Sequence, residues 1–498
     1  MRFSFLTCSL SLALLSGCGS QIVNPVSGET EYSVMTESAE VNEGRKAHQQ
    51  VLQEYGVVDN PALQNYVNAL GQKLAAESHR NQLEWHFTVL DSPEINAFAL
   101  PGGYVYVTRG IMAYMESEAD LAGVIGHEIG HVTARHGAQR ATSQQKAGIG
   151  ILAASVLGAV LESQGVSGAG RLATDVSQTV AAGLIASYGR EQELQADSLG
   201  AEYLARIRYN PRNMVDVIRV LKNQELFAED LARAEGRLAP QKGDWLASHP
   251  SNDQRLDIIL QLSSQYDTAE KYSDDGRLTY LKAITNMGFG ESASQGVTRG
   301  RDFYHQPLGF AVTAPEGWRI ENSTDSLRLI NTKGDAALIV SVVPESIGNN
   351  HTQIIRTLFN PTQGKAETTD INGLQATRFM GTRKNKQGQV APVQATIVGG
   401  IHTHTFVLQA SAANPQALQA AKVKLQEAEA SFRALTAQDQ KAAKPWIIKT
   451  TPYPKGGFAE LAKTSPIARP EQQLRLINGF YGGGEPPVGT LVKTIATQ

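Results

Sequence analysis

His127-Glu128-Ile129-Gly130-His131 sets two histidines four residues apart, with a carboxylate directly after the first. On a helix that spacing is one turn, so both imidazoles leave the same face and can reach one metal ion. Glu128 lies close enough to hold a metal-bound water without being a ligand. The pattern suits zinc hydrolysis, in which the metal lowers the pKa of its water and a carboxylate removes the proton. The alternative is a chance match on an ordinary helix, and the flanking sequence bears on the choice.

Ser117-Glu118-Ala119-Asp120 reads as a capping box, a Ser at the N-cap answered by an acid three residues on. Leu121, Val124, Ile125, Ile129 and Val132 follow at helical spacing, which places the motif on a helix. Gly123, Gly126 and Gly130 each cost about 1 kcal/mol relative to Ala inside a helix. Their spacing of three and four predicts a neighbour packed very close to this face.

Two histidines leave a zinc site short of a protein ligand. A metzincin would continue with Gly at position 134 and His at position 137, where this chain has Ala134 and Gly137. His136 comes one place too early and is read as structural, or as a partner that orients a ligand. The better source of a third ligand is Glu191-Gln192-Glu193-Leu194-Gln195-Ala196-Asp197. Glu193 and Asp197 lie one helical turn apart, so one carboxylate can bind the metal while the other orients a ligand histidine.

His127-Glu128-x-x-His131 followed by Glu193-x-x-x-Asp197 resembles the M48 family of zinc peptidases, the Ste24/HtpX-like group, in its periplasmic lipoprotein type. Asn96-Ala97-Phe98-Ala99-Leu100-Pro101-Gly102-Gly103 and Ser248-His249-Pro250 with Arg255 extend the likeness, which covers roughly residues 20 to 265. The resemblance implies one Zn2+ per chain held by His127, His131 and Glu193, with Glu128 as general base. For His249 it implies one of two roles: filling the metal's open position at rest, or hydrogen-bonding a reaction intermediate. A structural histidine capping a loop is the third reading.

Met1 to Leu15 carries one early charge, Arg2, and then an apolar run too short to span a membrane, as in a secretory signal. Leu15-Ser16-Gly17-Cys18 resembles a bacterial lipoprotein signal with Cys18 as the lipidated residue. Gly19 follows in place of the Asp that retains such proteins at the inner membrane. The expected address is therefore the periplasmic face of the outer membrane of a Gram-negative bacterium. The only two cysteines are Cys8 and Cys18, so the mature chain has none left for a disulfide. A net charge of −3 without a basic cluster argues against nucleic acid as a partner.

Trp85 to Leu90 reads as a strand and Tyr104 to Thr108 as another. An edge strand beside the metal would pair with a peptide backbone, and Tyr104, Val105, Tyr106 and Val107 are the expected substrate-binding residues. Ala147 to Leu161 is an apolar run of 15 residues rich in small ones, inside an insert at 147–187. It is open to three readings: a buried hairpin, a membrane-surface or docking element, or a true span.

Residues 266–300 shift to Ser, Asp and Gly and read as a linker. Strand patterns from Phe310 onward and an amphipathic helix from Pro415 to Leu435 then indicate an α+β module. Its strand–Pro-x-Gly-Trp318 start resembles PsbP/MOG1-like domains, and it is read as a recognition module. His402 and His404 share a strand face on this reading. Trp446 to Ile495 resembles a degenerate LysM-like module, a fold associated with peptidoglycan.

The expected fold class is thus α+β. A signal peptide (1–17) leads into a mainly helical zincin-type peptidase domain with a small sheet (18–265). A linker (266–300), an α+β accessory domain (301–440) and a small LysM-like module (445–498) complete it. The expected function is a zinc endopeptidase acting on misfolded or stalled envelope proteins, with peptidoglycan or envelope assembly machinery as further partners. The alternative is a periplasmic chaperone or assembly factor whose peptidase site is plugged by His249. A third reading is a cell-wall anchor for which proteolysis is secondary.

Overall fold

A computed structural model of the chain describes residues 20–145, 188–234, 249, 253–266, 272–323, 326–348, 350–384 and 388–498. Cys18 and the insert at 147–187 lie outside the described residues. The chain forms two compact units, one ending at Ala283 and the other running from Ile284 to Gln498 with Asp91–Pro93. Both mix helix and sheet, as the α+β class requires.

The first unit is mainly helical. Helix α1 (Glu37–Tyr55) starts at the N-cap Thr36, and α2 (Pro61–Ala76) starts at Asn60, whose side chain accepts from the Leu63 amide. Pro61 sits at the first helical position, where its missing N–H costs nothing. The strands β1 (Ser20–Val23) and β2 (Thr30–Ser33) precede these helices, and three more follow them: β3 (His86–Leu90), β4 (Ala97–Leu100) and β5 (Tyr104–Thr108). A short helix α3 (Arg109–Tyr114) leads to the metal-motif helix α4 (Glu118–Thr133). Ser117 caps α4 by accepting from the Asp120 amide, as expected. Asp120 does not close the box on Ser117; it accepts from the Glu116 amide one residue earlier, at 2.9 Å.

Every residue of α4 from Ala119 to Thr133 is buried, so this helix has no solvent face. The expected close neighbour is the helix Arg190–Arg206. A Cβ on Gly130 would sit 3.0 Å from the Ala196 carbonyl, and one on Gly126 3.4 Å from the Gly200 Cα. The contact is reciprocal, since a Cβ on Gly200 would meet the His127 amide nitrogen at 3.1 Å. Backbone therefore meets backbone. The same glycines that weaken α4 as an isolated helix draw Glu193 and Asp197 up to the histidines.

The substrate-strand expectation is corrected here. The sheet order is β3-β5-β4, with β3 parallel and β4 antiparallel to β5. Tyr104, Val105, Tyr106 and Val107 are thus buried on the central strand, and both their backbone edges are already paired. They cannot receive a peptide strand. Among the described residues Ala97–Leu100 pairs only with β5, because a strand two connections downstream folds back between its predecessors.

The second unit is built on a seven-stranded antiparallel sheet, its strands named in the order in which they neighbour one another. These are Arg319–Asn322, Leu327–Ile330, Ala336–Val342, His404–Ala412, Val390–Ile401, Leu374–Lys384 and Gln363–Ile371. The helix Pro415–Ala430 contributes Ala421, Leu425 and Ala428 to an apolar core with Leu338, Phe406 and Leu408. The helix His351–Phe359 packs Ile354, Ile355 and Phe359 into a separate core with Phe379, Ile397 and Val407. Trp446–Pro452 and Leu491–Thr497 form an antiparallel pair flanking two short helices, Gly457–Ala462 and Pro470–Ile477.

Two further expectations change. The 266–300 stretch is not a plain linker: it holds the helix Arg277–Ile284 and the strands Gly288–Phe289 and Val297–Arg299. Its polar composition hid them: Gly288–Phe289 pairs with Trp446 and Ile447, remote in sequence, and Val297–Arg299 is a short arm of the hairpin it forms with Asp302–His305. His402 does not share a strand face with His404. It sits in the tight turn between the strands Val390–Ile401 and His404–Ala412 with φ of 49°, and only His404 begins a strand.

Candidate metal centre

The histidines of α4 meet Glu193 from the neighbouring helix and His249 from beyond it, all four buried. One donor atom from each lies within 4.8 Å of the others. His131 Nε2 is 3.1 Å from His127 Nε2, and His249 Nδ1 is 3.2 Å from His127 Nε2 and 3.0 Å from Glu193 Oε1. Glu193 carboxylate oxygens lie 3.5 Å from His131 Nε2 and 3.6 Å from His127 Nε2. Ligand atoms at zinc distances of about 2.0–2.1 Å are separated by about 3.3–3.4 Å along the edges of a tetrahedron. The donor set fits that figure. A ring nitrogen facing another ring nitrogen offers one proton at most, whereas a divalent cation satisfies all of them.

The outer nitrogens are fixed as a ligand shell requires. His127 Nδ1 donates to Asp197 Oδ1 at 2.9 Å, which leaves Nε2 bare toward the cluster. His131 is fixed by a longer relay. Gln195 Oε1 is 2.9 Å from His136 Nε2, and His136 Nδ1 is 2.8 Å from His131 Nδ1. An amide oxygen only accepts, so His136 carries its proton on Nε2 and accepts from His131 Nδ1. His131 Nε2 is then also bare. His136 is therefore the partner that orients a ligand, one of the two roles its position left open.

Burial penalises the charged His127, but the hydrogen bond and charge of Asp197 outweigh it and hold the imidazole above its ordinary pKa. Burial drives His131 well below, helped by the nearby His127 and His249. Burial also pushes His136 down to about 4, keeping it neutral for the relay. Glu193 stays below the usual carboxylate value despite burial, because His249 and His127 face it. Asp197 is brought to about 2, burial being outweighed by Arg255 and His127.

Arg255 is the residue whose role the sequence did not reveal. Its guanidinium makes two bonds of 2.8 Å to Asp197, reaches Glu193 Oε2 at 3.0 Å and donates to the His249 carbonyl at 3.2 Å. One fully buried cation thus ties together three of the residues around the cluster. Tyr188 was missed too: its ring stacks on His131 at 3.8 Å, with the Arg140 guanidinium 4.4 Å away. Nothing in local spacing marks either side chain, since each acts across a long sequence gap.

Glu128 differs from all of these. Both its carboxylate oxygens are buried without a hydrogen-bond partner, and His249 Nε2 stands 3.6 Å from one of them. A buried carboxylate left unbonded is costly unless something polar completes it. Water at the metal would do so.

Comparison with known proteins follows the same residues. Residues 61–263 match the peptidase family M48. The chain is 30% identical over 209 residues to the beta-barrel assembly-enhancing protease of Yersinia pestis, covering 42% of this chain and 40% of that one. It is 30% identical over 206 residues to the mitochondrial metalloendopeptidase OMA1 of Arabidopsis thaliana, covering 41% and 37%. The chain therefore spans about two fifths of the length of these relatives. Among solved structures, cyanobacterial PsbP from Synechocystis is 13% identical with a TM-score of 0.21, over 29% of this chain and 98% of that one. The metal-motif helix, the carboxylate helix and the residues joining them all fall inside the matched segment, and this segment is a domain of peptidase family M48, the zinc-dependent metallopeptidases.

Proposed function

We propose that the chain is a zinc-dependent endopeptidase of the bacterial cell envelope. The observation that carries this reading is the buried, close-set donor group of His127, His131, Glu193 and His249 beside the unbonded carboxylate of Glu128. Zinc held by His127, His131 and Glu193 supplies Lewis acidity toward water and the scissile carbonyl. Glu128 takes the proton of the attacking water and returns it to the leaving amine. Asp197 holds His127 in the tautomer that ligates, and Arg255 keeps Asp197 ionised. His249 fills the fourth corner at rest and withdraws to admit substrate. The outer edge of β4, Ala97–Leu100, is the better strand for pairing with an extended peptide.

The pattern at Leu15-Ser16-Gly17-Cys18 supports a lipid anchor at Cys18 and the periplasmic face of the outer membrane as the address. The name of the Yersinia pestis relative supports envelope proteins as substrates, misfolded or stalled ones first. The α+β module over 301–440 serves recognition on this reading. The strand–helix–helix–strand arrangement at 445–498 is the reason to keep peptidoglycan and assembly machinery as partners.

The test uses the full mature chain. Bound zinc near one per chain and cleavage of casein are expected, with Glu128→Gln keeping the zinc and losing cleavage by about 10²–10⁴-fold. Zinc loss in that variant, or full residual cleavage, removes Glu128 as the base. The closed donor set favours one second reading, a chaperone or assembly factor with a latent site. His249→Ala decides between them: a rise in basal cleavage marks a resting enzyme, while continued silence with zinc in place marks the chaperone.

A further inference from the structure

The seven-stranded sheet has two edges of unequal kind. Arg319–Asn322 is a strand of four residues. The other edge, Gln363–Ile371, runs for nine and, among the described residues, pairs only with Leu374–Lys384. Its residues from Gln363 to Thr368 are exposed. Long edges are usually blunted by proline, a bulge, charged side chains or a covering helix or loop. This one contains no proline, and its register with Leu374–Lys384 runs without a shift.

The charges on this edge are of opposite sign and placed about a centre. Lys365 and Glu367 lie on one face, as side chains two apart in a strand must, with Ala366 between them on the other. Let a second copy pair antiparallel to this strand about a two-fold axis through Ala366. Lys365 then faces the partner copy's Glu367, Gln363 faces Thr369, and Gly364 faces Thr368. The same face of the sheet stays up in both copies, so register can slip only in steps that recentre the axis on a neighbouring residue. One step either way sets Lys365 against itself or Glu367 against itself, and like charges directly opposite are destabilising. The sequence of the edge therefore permits one register and penalises its neighbours.

We infer that Gln363–Ile371 is a self-association surface, through which two copies of this chain join their seven-stranded sheets antiparallel about Ala366. The occupant is a second copy because the charge pattern is complementary to itself; an unrelated strand would have to bring its own matching pair.

The test is Ala366→Cys in the full chain, at the residue that faces its own copy across the axis. Opposed strand residues lie about 4.5–5.5 Å apart at Cα, within reach of a disulfide. The native cysteines are Cys8 and Cys18 only, so the unsubstituted chain is the control. A non-reducing gel is expected to show a product of twice the chain mass for Ala366→Cys alone. Adding Lys365→Glu or Glu367→Lys should weaken that band severalfold, and adding both together should restore it. No dimer band, or a band indifferent to the charge changes, overturns the proposal. A crosslinked product of any other mass also overturns it, by showing that a different chain occupies the edge. Sedimentation of the unsubstituted chain in detergent gives an independent reading, expected to show a dimer that the single charge reversals dissociate.

Discussion

The two units bury different things. The first buries Glu40, Arg80, Asp120, Glu128, Arg135, Glu193, Asp197 and Arg255 along with three cluster histidines. The second, among its described residues, buries only Asp439 and Lys493 of comparable charge, and its cores are aliphatic and aromatic. Apolar packing is enough to hold a sheet and two helices together. Charge is taken out of water, at a cost of several kcal/mol per ion, where each ion has a partner in good geometry. The first unit bears that cost because its chemistry needs charged groups held without water. Among its described residues the second has no such constellation, and what they offer is surface.

The comparison breaks most easily at Arg255. Arg255→Leu leaves the Asp197 carboxylate buried without its cation, and a loss of about 3–5 kcal/mol is expected. Thermal unfolding measures that loss, and zinc content should fall with it because His127 loses its fixed partner. An unchanged melting temperature would mean the buried charges of this unit are independent rather than one network. Arg255→Lys should recover part of the stability but not both bonds to Asp197.

Gly130→Ala probes the backbone contact. Alanine favours helix by about 1 kcal/mol, but here its Cβ would lie 3.0 Å from the Ala196 carbonyl. Overpacking of about 1–3 kcal/mol should outweigh the gain. Zinc affinity should drop as the carboxylate helix moves off, which a competition titration with a chelator reads directly. A more stable variant with unchanged affinity would show that the helices have slack.

The smallest effect belongs to the second unit. His305 Nδ1 accepts from the Leu308 amide, and burial lowers its pKa from 6.5 to about 4. Between those values the unfolded chain binds a proton that the folded chain refuses. Stability is therefore whole above pH 6.5 and falls as pH drops toward 4, by no more than about 3 kcal/mol. Urea unfolding across that range should show the slope, and His305→Asn, which keeps an acceptor at the same reach, should flatten it. A slope equal in both proteins would assign the acid sensitivity elsewhere.

How far the site was legible follows from what is local. His127, His131, Glu193 and Asp197 were readable because one-turn spacing is written in consecutive residues and each pair sits on a single helix. The glycine spacing even announced the contact that joins the two helices. Tyr104–Thr108 was readable as a strand but not as a central one, because order within a sheet depends on which neighbours fold back. Arg255 and Tyr188 reach the cluster across 58 residues to Asp197 and from outside any helix, so their roles had no local signature. In the second unit the strands and the helix Pro415–Ala430 were visible, whereas the turn at His402 and the short strands after Ile284 were not.

His249 has a consequence for inhibitors. On the proposed reading, in which His249 fills the fourth corner at rest, a molecule that seeks the metal meets a corner already taken by the histidine's Nδ1. Its apparent affinity is its intrinsic affinity multiplied by the fraction of chains in which that ring has swung away. A chelator tuned to zinc alone is weakened by this factor, and a stronger metal-binding group does not remove it. A compound that also holds the displaced imidazole would recover the loss, and would bind this resting form where simple chelators scarcely compete.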